Sequence, residues 1–272
     1  MARRVAALTC YFKVPGQMSS WDVLSRGSCF ITAAQNPSLS PHSHHIVASA
    51  HVVSPFKYPN YFSDEWLKFV DQSHCKYEIT LIDESERDRT KCPTVNLINR
   101  PFHHSTRDLA VLHADNDALE KLFKFGIIPL RLDAMPSKAR FTSLMIDGFQ
   151  VIESEEIVVD AGVDNFFEQE QEQEQEQEQE DNRIHVQQAV EGIVVSNNLP
   201  DQHLAQTAIV LTDGYCGAPV LRGDNSVDLA VGIVEGTVNE NSPEKRLVGA
   251  VSYIPSAFIK EFLITTVEKE KE

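Results

Sequence analysis

Residues 212–220 read Thr-Asp-Gly-Tyr-Cys-Gly-Ala-Pro-Val. Cys216 sits in a tight stretch between Gly214 and Gly217, with Pro219 and an apolar run behind it. This is the pattern of a turn that feeds a strand. Glycine adopts backbone conformations closed to other residues, so such a turn can aim the N–H groups of Gly214 and Cys216 at one point. Where an oxyanion forms during catalysis, each donor of that kind contributes about 3–4 kcal/mol. Taken alone, Cys216 reads equally well as a small buried hydrophobe.

Two further segments give the cysteine a context. Residues 46–53 read IVASAHVV, a hydrophobic run that ends in small residues and His51. Residues 107–112 read RDLAVL, in which Asp108 opens an apolar strand. A thiol needs a base to become a nucleophile near neutral pH, and His51 can supply it. A carboxylate on the other ring nitrogen fixes the tautomer and the ring orientation, and Asp108 can supply that. Each residue has a plainer reading: a half-buried histidine, a turn aspartate, a buried thiol. Only the ordered set of three points to nucleophilic catalysis.

Around these segments the chain reads as short strands. Candidates are 5–14, 27–33, 45–50, 77–83, 95–98, 109–113, 142–148, 151–159, 185–195, 206–211, 218–222, 228–235 and 246–252, with Gly, Pro, Asn, Asp or Ser between them. So many short strands indicate an all-β sandwich or pair of barrels, and 272 residues at 42% hydrophobic suffice for a large core. Helices are expected at 63–72, where Ser63 reads as an N-cap, at 116–125, and at 256–268. The terminal EKEKE reads as frayed.

The formal charge of -16 argues against a nucleic-acid footprint. Half of that excess lies in residues 168–181, EQEQEQEQEQEQED, which cannot bury apolar surface and reads as a disordered insertion. It is either a low-complexity expansion or an acidic docking element. DESERDRTK at 83–91 reads as a solvated hairpin tip. No apolar run is long enough to span a membrane. Cys10, Cys29, Cys75, Cys92 and Cys216 are widely spaced and odd in number, which fits reduced thiols inside a cell. The cytoplasm is the expected location, with Arg3, Arg4 and Lys13 keeping the mitochondrion as the alternative. His42, His44, His45, His103 and His104 match no structural zinc spacing and read as loop residues, so no metal is expected.

The three segments resemble the histidine, aspartate and nucleophile motifs of the chymotrypsin-like, or trypsin-fold, peptidases. ASAHVV and DLAVL are similar to the Deg/HtrA branch, and GYCGAP to its G-x-S-G-G-P turn with cysteine in place of serine. Arg26-Gly-Ser-Cys-Phe-Ile31, Ala230-Val-Gly-Ile-Val234 and Gly249-Ala-Val-Ser-Tyr-Ile-Pro255 extend the likeness over residues 5–265. The trypsin-fold cysteine proteases of positive-strand RNA viruses make the same replacement. Ala218 and Cys29 depart from the family's glycines, and 272 residues leave no room for the PDZ domain expected of that branch.

The resemblance implies two packed antiparallel six-stranded β-barrels and a C-terminal helix, divided at 1–135 and 136–272. It implies His51 as general base and acid, Asp108 as its orienter and Cys216 as nucleophile, with Gly214 and Cys216 as oxyanion donors. No cofactor is called for. Val210, six residues before the nucleophile, falls at the base of the specificity pocket, and Gly232, Ile233 and Val234 fall on its walls. An apolar or medium-sized substrate side chain is implied, and Arg or Lys is not. The partner is then a polypeptide substrate. The alternative is an inactive trypsin-fold scaffold that binds another protein.

Overall fold

A computed structural model describes residues 2–38, 40–59, 61–82, 92–133, 142–153, 183–223 and 228–268. The expected hairpin tip 83–91 and the Glu/Gln run 168–181 lie outside these residues. The described chain is all-β in class, with two curved sheets that meet across a shared apolar seam.

The first sheet holds β1 (Ala6–Phe12), β2 (Asp22–Ala33), β3 (His44–Ala48), β4 (Cys75–Thr80), β5 (Thr94–Asn96), β6 (Ile98–His103) and β7 (Ala110–His113). Their order is β5-β4-β1-β2-β3-β7-β6. The second holds β8 (Arg131–Leu132), β9 (Ser143–Glu153), β10 (Arg183–Ser196), β11 (His203–Thr207), β12 (Pro219–Arg222), β13 (Leu229–Thr237) and β14 (Val251–Pro255). Here β12-β9-β10-β11-β14-β13 closes on itself through a β12–β13 pairing, and β8 adds to β13 in parallel. The second sheet is thus a closed six-stranded antiparallel barrel. The first is a seven-stranded half-barrel. This two-barrel architecture is compatible with a trypsin-like fold.

Inward residues of β1, β2 and β4 (Leu8, Cys10, Cys29, Ile31, Tyr77, Ile79) fill the first sheet. Leu144, Ile146, Val190, Val220, Val231 and Val251 fill the second. The seam joins the opposite faces: Phe30, Val47, Leu109 and Val111 meet Leu221, Ile233 and Ile254, and Ile259, Phe262 and Leu263 cover them. Each such side chain withdrawn from water contributes about 1.5–3 kcal/mol. That burial sets the relative position of the two sheets.

Three local expectations change. Residues 142–148 and 151–159 are one strand through Glu153, because Gly148 does not break it. A Cβ at Gly148 would lie 2.4 Å from the Tyr215 ring, so this glycine marks a close approach within a strand. Residues 63–72 form 3-10 turns at Glu65–Phe69 and Gln72–His74 in place of a helix. Only Leu67 is buried in the first of them, too little to stabilise an α-helix. Strand β11 ends at Thr207, which leaves Ile209 and Val210 exposed.

The expected helices α2 (Asn116–Lys124) and α3 (Ser256–Phe262) are present. Asp115 caps α2 by accepting from the Ala118 N–H at 2.7 Å. Helix α3 runs into one π turn, Leu263–Val267. Glu268, expected in a frayed tail, is buried. It accepts the N–H groups of Gln35 (2.5 Å) and Asn36 (2.7 Å). His45 also belongs to β3 and not to a loop. Its Nε2 lies 3.2 Å from Glu268 and its Nδ1 lies 2.8 Å from His113 Nε2. A chain in which His113 donates to His45, and His45 to Glu268, is consistent with both rings being neutral. Among the described residues no helix is long and apolar enough to cross a membrane.

Burial lowers both imidazoles, that of His113 to about 3, with His42 and His45 adding repulsion. For His45 the nearby His42 and His44 oppose protonation while Glu268 favours it. A base with a depressed folded pKa contributes stability above its unfolded value near 6.5, and that contribution is lost as pH falls below it. From pH 7 to pH 5 His113 should cost about 2 kcal/mol of stability. The melting temperature should fall over this interval, and His113→Gln should flatten the slope. Equal slopes in both proteins reject this origin.

Candidate active site

The apolar run of β3 ends at Ala48, and a single helical turn, α1 (Ala50–Val53), follows and carries His51. Strand β7 starts two residues after Asp108. Because β3 and β7 are neighbours, with Ala48 paired to Ala110, the two side chains meet at the sheet's end. Asp108 grips His51 twice. Its Oδ1 accepts the His51 backbone N–H at 2.7 Å, and its Oδ2 lies 2.5 Å from Nδ1. Both residues are buried. Cys216 lies near enough to the ring to raise its pKa. The structure therefore brings His51, Asp108 and Cys216 together across the two sheets.

The charge state of the ring follows from a contest. Burial pushes the His51 pKa down, while the hydrogen bond to Asp108, the proximity of Cys216 and the negative charges of both push it up, and the net result is about 10. The net direction is upward, so the surroundings of the ring favour its protonated form. Cys216 is partly exposed, whereas the other four thiols are buried.

The nucleophile turn is fixed from both sides. Gly217 has φ +90°, and a Cβ there would lie 2.0 Å from the Ser28 carbonyl oxygen. Only glycine fits. The Gly217 N–H donates to Val234 O at 3.0 Å, and the Ala218 N–H donates to Tyr215 O at 2.9 Å. The Tyr215 ring is buried against Gly148, and its hydroxyl donates to Gln188 at 3.1 Å. Gly214 also has a positive φ, +98°. Among the described residues the N–H groups of Gly214 and Cys216 donate to no protein acceptor. Unpaired N–H groups on alternate residues of a glycine-rich turn are suited to hold an anion.

The expected pocket residues separate. Val210 is 67% exposed and lies beside Gly249, whose Cβ would come within 3.9 Å of it. Ile233 and Val234 are core side chains, and a Cβ on Gly232 would meet Ile254 O at 2.6 Å. These three do not present side chains to a ligand. They act through the backbone: Val234 O accepts from Gly217 and, at 3.0 Å, from the Ser49 hydroxyl.

Other groups around the catalytic residues escaped the sequence reading. Tyr61 stacks flat on His51, with centroids 5.0 Å apart and planes at 4°, and is itself 61% exposed. Tyr58 and Phe62 approach the same ring at 6.2 and 6.3 Å. Tyr58 is raised to about 12 by burial and then by the charges of Asp108, Tyr61 and Glu235. Glu235 accepts from Ser252 Oγ at 2.8 Å and lies 3.7 Å from Arg107. Arg107 also holds Asp201 at 2.7 Å, so one cation next to Asp108 ties the first sheet to the second. The one available signal was aromatic density directly after His51, in FKYPNYF at 56–62. Among the described residues no group of three or more His, Cys, Asp or Glu is arranged to hold a metal.

Neither a family model nor a curated protein matches the chain. The reading of the site therefore rests on its geometry.

A histidine raised in the folded state contributes stability below its unfolded pKa, and that contribution is lost as pH rises through the folded value. The His51 ring resonance should accordingly titrate near pH 10. Asp108→Asn removes the largest single upward contribution and leaves burial in place, so the midpoint should drop. A midpoint still near 10 in that variant contradicts the assignment.

Proposed function

We propose that the protein is a cysteine-type endopeptidase that uses Cys216, His51 and Asp108. The observation that carries this reading is the buried Asp108–His51 pair set beside the partly exposed Cys216, next to two unpaired backbone N–H groups. A non-catalytic scaffold gives no reason for a buried imidazole whose surroundings favour protonation to sit next to a thiol.

The chemistry follows from the charges. With the proton on His51, the Cys216 sulfur is the nucleophile. It attacks the scissile carbonyl carbon, and the carbonyl oxygen becomes an oxyanion received by the N–H groups of Gly214 and Cys216. As the intermediate collapses, His51 gives its proton to the leaving amine, and a thioester remains on Cys216. His51, now neutral, takes a proton from water. The resulting hydroxyl oxygen displaces the thiolate and releases the acid. Asp108 keeps Nδ1 facing away from the reaction throughout.

The resemblance of the chain to trypsin-fold enzymes, which places Val210 six residues before Cys216, favours an apolar side chain at the cleaved position. There is no carboxylate at Val210 to attract Arg or Lys. Against a peptide library the wild-type protein should cleave after apolar residues. Cys216→Ala and His51→Ala should each reduce the rate by about 10³-fold or more at an unchanged melting temperature. Cleavage that survives in either variant contradicts the proposal.

A further inference from the structure

The two N–H donors are useful only if the peptide planes that carry them are held still, and the structure accounts for every plane of the turn. A trans peptide points its C=O and N–H in opposite directions. The Asp213 carbonyl accepts the Val151 N–H at 2.9 Å, which turns the Gly214 N–H away from β9. The Tyr215 carbonyl accepts from Ala218, which turns the Cys216 N–H outward in the same manner. The two remaining planes both meet one residue, and the second is also held by the Gly217 N–H donating to Val234 O. Ser28 Oγ donates to the Gly214 carbonyl at 2.7 Å, and the Ser28 N–H donates to the Cys216 carbonyl at 2.9 Å. The same hydroxyl accepts the Phe149 N–H of β9 at 2.9 Å.

Ser28 is fully buried in β2, on the first sheet, yet all its side-chain partners belong to the second. A hydroxyl has one proton to donate and lone pairs to accept with, and both functions are engaged here. A hydrophobe of the same size would fill the space without orienting anything. The hydroxyl therefore does work that packing alone does not require.

We propose that Ser28 is a positioning residue for the oxyanion site: its hydroxyl locks the Gly214–Tyr215 peptide between the two sheets and so keeps both N–H donors aimed in front of Cys216. The inference rests on the peptidase reading of that site. It adds that the donor site is organised from the first sheet, before any substrate arrives. Ser28 touches neither the thiol nor the imidazole hydrogen bonds, so it should affect carbonyl addition and leave thiol reactivity alone.

Two reactions of the same sulfur separate these effects in the full-length protein. Iodoacetamide alkylates Cys216 by displacement of iodide at carbon and forms no oxyanion. p-Nitrophenyl acetate acylates it: the sulfur adds to the carbonyl, an oxyanion forms, and p-nitrophenolate leaves with its electron pair. Both are read at Cys216 by mass spectrometry. Ser28→Ala should slow acylation about 10- to 100-fold. The rate and pH profile of alkylation should remain within about twofold. Acylation that is unchanged, or that falls in parallel with alkylation, overturns the proposal. So does a wild-type ratio of acylation to alkylation no higher than that of free cysteine. An alkylation profile indifferent to His51→Ala would instead sink the peptidase reading, and the acylation ratio would still judge Ser28. Should Ser28→Ala unfold, Ser28→Cys keeps the volume with a much weaker donor and must show the same selective loss.

Discussion

The turn at 213–217 must lie against both sheets at once, and the rest of the site follows from that constraint. Gly217 runs so close to the Ser28 carbonyl that no side chain fits between them. Tyr215 reaches the other way, into the core of the closed barrel beside Gly148. A segment wedged in this manner cannot be ordered unless both sheets are folded and docked. The apolar seam supplies the docking energy. The polar ties across it, Ser28 to Gly214, Ser49 to Val234 and Arg107 to Asp201, supply direction. Hydrogen bonds contribute only about 1 kcal/mol each to stability, but an unmade one in a buried seam costs more. That asymmetry selects one docked arrangement from the many that burial alone would tolerate.

The histidines show how the same physics gives opposite results. His51, His103 and His113 are all removed from water, which disfavours the charged form of each. His113 faces other histidines and falls to about 3. His103 is half-buried, with Lys57 nearby, and falls to about 4 despite the charge of Asp108. His51 has Asp108 in direct contact and Cys216 alongside, and rises to about 10. The difference lies in immediate hydrogen-bond partners, not in depth. A buried imidazole that stays charged has to be matched by negative charge at contact distance, and the acidic partners here are a carboxylate and a thiol.

The two-barrel class and the three central residues were legible because each carries a local signature. Strand-length apolar runs between turn residues mark the sheets, Gly214 and Gly217 mark the turn, and apolar flanks place His51 and Asp108 at strand ends. What escaped depends on tertiary contact. Residues 142–153 read as two strands until Tyr215 is seen lying over Gly148 in one continuous strand. Glu268 reads as part of a charged tail until the N–H groups of Gln35 and Asn36 are found facing it. Ser28 is one polar residue in an apolar strand, and nothing in RGSCFI reveals that its partners lie more than a hundred residues away. Ile233 and Val234 have the right sequence position for a pocket wall, but strand alternation sends Ile233 into the seam and Val234 into the closed barrel, which leaves only the Val234 backbone for the turn.

The central claim is that His51, oriented by Asp108, acts as the base for Cys216. The most direct test is the rate of Cys216 alkylation as a function of pH, in the wild-type protein and in His51→Ala. The account predicts rapid alkylation that persists to about pH 6 and disappears in His51→Ala, the behaviour of a thiolate–imidazolium pair. A wild-type rate that declines below about pH 8.5 like that of an ordinary thiol, and that is indifferent to His51, would contradict it.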